Sequence, residues 1–596
     1  MNLLNFILFL QVFFVPGMII YWKKEREISK MIVKIIISST VINLFSFSLI
    51  LLFRNLIDFK LIFLSTIFSL FLSFLFRNLI RAKKFSIKIE KRNIWFLVFL
   101  FFSFFINFAL FLYHKSIIGA DVGRFGIISH AIFLKGKFET NLKPYDMAED
   151  FFYFPSVILF PPLFEVVGID AIAFLSFLVF FFSSLYGLPV YLISKRLFNE
   201  EVSLASFFFS TFFLNPLINI GFLGVFPYAI SIFYFLSLLY FILEKNKDFI
   251  AISSSLIGII SFHAYLLVLL FPFLLSLSIL NIKSFSFLLE RKFWIFLLFF
   301  SFFLTPYLFK TYKSFFIPFE IDKKLDIFMF STFNRNLQLI QKLQFILFAS
   351  PIGFNKNIFL FIGFLVFLFA LIKNYKKFCF GVKFLLLSFI LSFFLIFASF
   401  NDMNFARSIW INWFFYSLGF ALIFNDNKLN LILLLLIANT KIPPSLFSYF
   451  DLHPDYDKGQ VPWIIWNSFY EAISFIKYNT PENSTFLIDG GGAGCTGASA
   501  SYGERIFPLT SRKIFYFSDY CWAKYDENEY RMRVSIYREL SINPSDEKLI
   551  KKLKEYNVTH IFIGPTDVAL NKNLFYNSSF YKLIYENRDF KIFEVF

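Results

Sequence analysis

Asp121, Arg124 and His130 fall within one stretch, SIIGADVGRFGIISHAIFLKGK (116–137), of a chain otherwise dominated by hydrocarbon side chains. The pattern predicts a mostly apolar helix with Asp121 near its N-terminus, where the helix dipole favours negative charge. Arg124 and His130 follow on the same helix. Two more ionisable residues stand at the ends of apolar segments. His263 lies in GIISFHAYLLVLLF, between two such segments with no loop separating them, and Arg407 lies in NDMNFARSIWINWFF, at the start of another. A carboxylate so placed can take a proton from a hydroxyl as a general base. A guanidinium presents a planar fork that matches phosphate, and an imidazole nearby can help to stabilise developing negative charge. Each residue also has a structural reading: an acid solvated or paired with Arg124, a packed turn histidine, and an arginine that snorkels to an interface. The chemical reading requires that residues distant in the chain lie at one depth.

That requirement turns attention to the elements that carry them. Mean hydropathy is +0.68, 58% of residues are hydrophobic and 100 are phenylalanine. A soluble globule could not cover so much apolar surface. Several runs, such as IWFLVFLFFSFFINFALFLY (94–113), reach the roughly 20 apolar residues needed to cross a bilayer. The chain is therefore expected to be a polytopic α-helical membrane protein of about 11–14 spans. These fall near 3–21, 31–53, 59–76, 94–113, 169–193, 203–219, 225–243, 249–262, 264–281, 293–309, 357–372, 381–399, 408–424 and 428–440. The first is followed by KKERE with no small-residue cleavage site, so it is expected to be retained.

The net charge is +17, and its distribution speaks against nucleic acid as a partner. Basic residues concentrate in short loops, foremost RNLIRAKKFSIKIEKRN (77–93), as the positive-inside rule expects of cytoplasmic loops. Alternation from that loop places SKRLFNEE, EKNKD, NIKSFSFLLERK and KNYKK inside as well. The regions 114–168, 310–345 and everything after about 441 then face outward. Residues 151–168 are apolar but broken by proline, and are expected to form an interfacial or re-entrant element.

Beyond 441 the pattern becomes that of a soluble α/β domain of ordinary size. Helices are expected over 462–479 and 548–557, strands over 484–489 and 559–564, and a hairpin over 582–595 turning at 586–589. N-x-S/T triplets at Asn483, Asn557 and Asn577 agree with an external location without requiring it. Cys495 and Cys521 lie in this domain, as a disulfide or as free thiols, and Cys379 lies in a membrane region. DGGGAGCTGASAS (489–501) contains G-x-G-x-x-G after a strand, but a dinucleotide site also needs a following helix. SYGERIFPLTSRK, interrupted by Gly503 and Pro508, is expected not to supply one. No H-E-x-x-H, G-K-[ST] or G-x-S-x-G motif is present.

The order of these features resembles the GT-C superfamily of membrane glycosyltransferases, which includes oligosaccharyltransferases and protein mannosyltransferases. The resemblance runs from about 94 to the C-terminus. It rests on GADVGRFGIISHAIFLKGK in the first large outer loop, YFPSVILFPPLFEVVGID after it, then YLISKRLFNEE and NIGFLGVFPYAISI, and finally AISFIKYNTPENSTFLIDGGG and LKEYNVTHIFIGP. It implies a catalytic role for Asp121 and contact of Arg407 with a lipid phosphate. No D-x-D pair follows in the first loop, so no cofactor is certain and a divalent metal stays an open alternative. LIDGGGAGC stands where oligosaccharyltransferases carry W-W-D-Y-G, which speaks against protein N-glycosylation by the familiar route.

The expected organisation is additional N-terminal spans over 1–93, a GT-C-like membrane domain over 94–440, and an extracytoplasmic domain over 441–596. The expected activity is inverting transfer of a sugar from a polyprenyl-phosphate donor to a lipid, glycan or protein acceptor at the outer face of the cell membrane. Asp121 is the expected base, and Arg407, His263, Arg124 and His130 the expected substrate-binding residues. Two rivals make different demands: a flippase of lipid-linked sugars needs charges at mid-membrane, and a scaffold leaves the outer polar residues scattered.

Overall fold

The computed structural model describes residues 3–22, 24–25, 27–79, 91–114, 120–139, 141–145, 148–151, 155–213, 215, 226–263, 266–299, 301, 349–350, 353–356, 358–398, 410–426, 467–488, 502–515, 523–564, 570 and 572–596. The chain is a polytopic helical membrane protein with an α/β domain at its C-terminal end. The first apolar segment is two helices, α1 (Leu3–Phe13) and α2 (Val15–Tyr21), bent by 44° at Phe14. Pro16 at the start of α2 cannot donate to the preceding turn, which frees carbonyls there. Asn43, on α3 (Ile28–Arg54), donates to Gln11 O at 2.9 Å and Val12 O at 3.1 Å, so the break is satisfied inside the protein. The chain continues through α4 (Phe59–Leu79), α5 (Lys91–His114), α6 (Ala120–Lys135) and α7 (Pro155–Val166). Then follow α8 (Ala171–Leu185), α9 (Gly187–Leu197) and α10 (Glu200–Phe208). Helices Phe226–Leu243, Phe249–His263, Leu266–Asn281, Ile358–Asn374, Cys379–Ala398 and Trp410–Asp426 complete the described bundle. The expected span 428–440 and loop 310–345 lie outside the described residues.

Four described helices are long and apolar enough to cross a membrane, and a fifth is counted when the bent α1–α2 pair is one span. Shorter apolar helices fall at six other expected spans, among them Ile94–Ala109, Pro227–Leu243 and Phe249–His263. The exposed side chains of α4 and α5 are Phe and Leu for the most part, as a lipid-facing surface requires. Large aromatic rings also fill the interior, where Phe182 meets Phe233 and Phe262 edge-on and Tyr234 stacks on Phe262.

The loops separate cleanly to two ends of this bundle. At one end Lys34 pairs with Glu25 at 2.9 Å and Asp248 at 2.8 Å, while Lys195 pairs with Glu27 at 3.0 Å and Glu200 at 2.8 Å. Lys30 joins Glu244. This network ties the segment before α3 to the loops around 195–200 and 244–248. It also explains the lysine inside an otherwise apolar helix: Lys34, near the start of α3, is neutralised by loop carboxylates rather than left in hydrocarbon. The other end of α3 lies about 40 Å away. There Ile57 N donates to Gly136 O at 2.7 Å, which places the C-terminus of α6 at that opposite end.

The Pro-broken segment differs from expectation. It folds as α7, with Pro161 and Pro162 inside the helix, and Ile158, Leu159, Phe160, Leu163 and Phe164 are buried. Phe160 packs edge-on to Phe47 of α3 and against Phe13 of α1. Proline within a helix is tolerated where the freed backbone is enclosed by protein, and that packing replaces the interfacial placement the sequence pattern points to.

The C-terminal domain is a five-stranded mixed sheet. Its order is β5 (Lys513–Phe515), β4 (Thr485–Ile488), β7 (His560–Ile563), β9 (Lys591–Val595) and β8 (Tyr581–Glu586). β4 runs parallel to β5 and β7, and β9 is antiparallel to β7 and β8. Helices Asn467–Asn479 and Glu547–Glu555 form where the sequence places them, the latter capped by Asp546, which accepts from Lys548 N at 2.9 Å. Helix Glu527–Ile542 starts at Asp526, whose carboxylate accepts from Asn528 N at 2.8 Å. Residues 502–510 do form a short helical element despite Gly503 and Pro508, a 3₁₀ turn at Tyr502–Arg505 followed by Ile506–Thr510. The Gly-rich run 489–500, Cys495 and Cys521 lie outside the described residues.

Candidate functional site

Helix α6 begins at Ala120, so Asp121 occupies its first turn. The rest of the helix is enclosed: Val122 through Ile132 are buried. One side packs on α7 and α8, and the other on the C-terminal domain. Two glycines permit that second contact. A methyl group added at Gly123 would stand 2.9 Å from Glu504 Oε2, and one added at Gly126 would stand 3.0 Å from Ile172 and 3.3 Å from Pro508. Positions 123, 126 and 130 recur at helical spacing and form one docking stripe.

Polar contacts cross this interface at two places. Arg124 Nε lies 3.9 Å from Glu504 Oε1; Arg124 is 4% exposed, and Glu504 and Arg505 are fully buried. His130 Nδ1 stands 2.6 Å from Glu165 Oε2 on α7, and its Nε2 stands 3.0 Å from Ser511 Oγ. Ser129 donates to the other oxygen of Glu165 at 2.8 Å. Burial pushes the Glu165 carboxyl up from its ordinary value, and the His130 and Ser129 hydrogen bonds oppose that push. The His130 ring also meets Phe507 edge-on, with centroids 4.9 Å apart.

The same loop adds three further ties. Tyr145 stacks on Phe507 at 5.5 Å, Lys143 pairs with Glu529 at 3.0 Å, and β1 (Ala148–Phe151) runs antiparallel to β6 (Ala523–Tyr525). The described residues between Ala120 and Val166 and the C-terminal domain thus form one body around α6.

His263 ends its helix with the ring edge-on to Tyr228, centroids 5.2 Å apart. Asp248, just before the start of that helix, pairs with Lys34 near the start of α3, so His263 stands about 22 Å along the bundle from that pair. Arg407 lies outside the described residues. Arg124 and His130 come to the domain interface, where both meet protein groups. His130 is also about 13 Å along the helix axis from Asp121, too far to share one small subsite with it. Glu165, Glu504, Arg505 and Ser511 join the constellation although sequence reasoning did not single them out. Their signal was faint: a charged Glu-Arg dipeptide in an apolar run, and an acid inside an apolar helix. Among the described residues, no group of three or more His, Cys, Asp or Glu side chains gathers in a metal-ligand arrangement.

Comparison of the sequence with protein-family models and with curated proteins gives no match. The fold does have solved counterparts. ArnT from Cupriavidus metallidurans, in a structure bound to undecaprenyl phosphate, is similar over 84% of this chain and 98% of its own, with a TM-score of 0.50 and 12% identity. The Archaeoglobus fulgidus oligosaccharyltransferase AglB, in complex with an inhibitory peptide and a dolichol-phosphate, matches 79% of this chain and 70% of its own, with a TM-score of 0.44 and 13% identity. Both are GT-C superfamily glycosyltransferases. The ArnT likeness shows that this chain shares ArnT's fold, and at that identity the fold is all it conveys.

Proposed function

We propose that the protein is a membrane glycosyltransferase that takes a sugar from a polyprenyl-phosphate carrier and passes it to a lipid, glycan or protein acceptor at the extracytoplasmic face. The observation that carries this reading is the seating of α6. The helix with an aspartate in its first turn is clamped between an apolar bundle and a soluble domain, at the end remote from the Lys30–Lys34–Lys195 network. Reading that network end as cytoplasmic from its basic loops supports an extracytoplasmic position for α6 and the C-terminal domain. The GT-C fold, seen in enzymes that bind undecaprenyl or dolichol phosphate, supports the general kind of reaction.

In this reading Asp121 accepts the proton of the acceptor hydroxyl as its oxygen bonds to the anomeric carbon. The carbon–oxygen bond to the carrier phosphate breaks on the opposite side, so the configuration inverts and the electron pair leaves with the phosphate. Arg407, helped by His263, stabilises that charge, while Arg124 is taken up by the domain interface. The test is transfer of radiolabel from a polyprenyl-phosphate sugar extract by the purified, reconstituted protein. Asp121→Asn is expected to lower the rate by about 10²–10⁴-fold, the usual worth of a general base. Full activity in that variant removes the assigned base. Movement of the lipid-linked sugar across vesicles without transfer would favour the flippase instead.

A further inference from the structure

We propose that His130, held by Glu165 and bonded to Ser511, is a positioning residue that sets the height and rotation of α6, and with it Asp121, against the C-terminal domain. The inference rests on the transferase reading for its catalytic consequence, and on geometry alone for its structural part.

Three separate elements meet at this imidazole. Nδ1 faces Glu165 of α7 at 2.6 Å and Nε2 faces Ser511 at 3.0 Å, so both ring nitrogens are committed and the ring cannot rotate without losing a partner. Glu165 is fixed in turn by Ser129 at 2.8 Å. Ser511 is presented by a backbone held on both sides. Its own N–H donates to Phe507 O at 2.8 Å, and its neighbour Arg512 donates through Nη2 to Thr480 O at 2.9 Å and Lys477 O at 3.0 Å. Ser511 also adopts a left-handed conformation, φ +60°, which a serine holds only where its surroundings over-determine it. An exposed hydroxyl on a constrained turn, aimed at a buried histidine of another domain, is the arrangement expected of a register pin. Helix α6 meets that domain at other points as well, by close packing at Gly123 and Gly126 and by the Arg124–Glu504 approach at 3.9 Å. The His130 bonds are shorter and more directional than that approach, and they oppose sliding along the glycine stripe. Because Asp121 and His130 share one rigid helix, a small shift at the pin is carried to the first turn. Misplacing a reacting group by about 1 Å can cost about a hundredfold in rate.

The test uses the full-length protein in detergent or nanodiscs and two readouts. Backbone amide exchange over 122–130 reports the seating of α6 without any substrate, and steady-state transfer from the polyprenyl-phosphate sugar extract reports the catalytic effect. Ser511 is exposed, so Ser511→Ala is expected to fold. It should raise exchange over 122–130 and lower kcat about tenfold with KM for the donor unchanged. Glu165→Gln should act in the same direction. Unchanged exchange in Ser511→Ala overturns the pin. Raised exchange with unchanged kcat overturns its role in positioning. A wild-type protein that transfers no sugar, while Ser511→Ala still raises exchange, leaves the pin standing and defeats the transferase reading.

Discussion

The Arg124–Glu504 contact offers a sharp quantitative test of how the helix and the soluble domain are joined. Both side chains are buried, and Glu504 is wholly so. At 3.9 Å and an effective dielectric constant of about 20, their attraction is about 4 kcal/mol, before the cost of removing both from water. Glu504→Gln preserves shape and removes the charge. It leaves Arg124 in the interior beside Arg505, whose guanidinium reaches the same space next to Gly123. Breaking a buried pair from one side costs about 3–5 kcal/mol, so Glu504→Gln is expected to destabilise the docked form by that amount. Arg124→Met should cost less, because Arg505 remains near the stranded carboxylate. The double variant removes both charges, and its cost should fall short of the sum of the two by about 2 kcal/mol, within the range seen for directly coupled residues. Denaturant titration of the purified protein, with protease release of the C-terminal domain as the second probe, measures all three. Single variants within 0.5 kcal/mol of wild type, or a strictly additive pair, would refute the assignment of the contact as a coupled interdomain ion pair.

Two further outcomes follow from the geometry. Gly258→Ala adds a methyl group 2.1 Å from Cδ1 of Tyr234, a ring already stacked on Phe262; overpacking of about 1–3 kcal/mol outweighs the helix-propensity gain of about 1 kcal/mol, so Tm should fall, and an unchanged Tm would show that the helices can part freely. Burial of Glu529 opposes its ionisation, but Arg533 and Lys143 outweigh that and hold its carboxyl below the usual range. Its folded pKa is therefore depressed, so its stabilisation of the loop–domain junction is present above the ordinary value of about 4.3 and is lost as pH falls through the lowered one; protease release of the domain should rise only in that acidic window, and Glu529→Gln should abolish that component of the pH dependence.

Much of the architecture could be read from local pattern. Apart from 203–219, the apolar helices through 264–281, the helix carrying Asp121, and the strands and hairpin of the C-terminal domain emerge within a few residues of expectation, because each depends on a period of 3.6 or 2 written in contiguous residues. The segment 151–168 was misread because its prolines and its apolar side chains point in opposite directions locally. Only the surrounding α1, α3 and α6, by enclosing it, decide for a buried helix. Likewise Gly503 and Pro508 argue against helix at 502–510, yet packing on Gly123 and Gly126 stabilises a short one. Arg124 and His130 stood out in sequence as chemistry-bearing residues, but which groups they meet depends on Glu504, Ser511 and Glu165, up to hundreds of residues away.

The sequence by itself determined the membrane character, the grouping of loops into basic and non-basic sets, the existence of a soluble domain and the placement of Asp121 in a helix's first turn. These follow from composition and periodicity, which act through solvent transfer and backbone geometry and need no knowledge of neighbours. Tertiary structure alone decided that the region around α6 and the C-terminal domain are one body, joined by a buried arginine–glutamate contact, a histidine held from two sides and a shared pair of strands. A buried charge or a committed imidazole is tolerable only beside its partner, and the identity of that partner is a property of the folded chain rather than of any stretch of it.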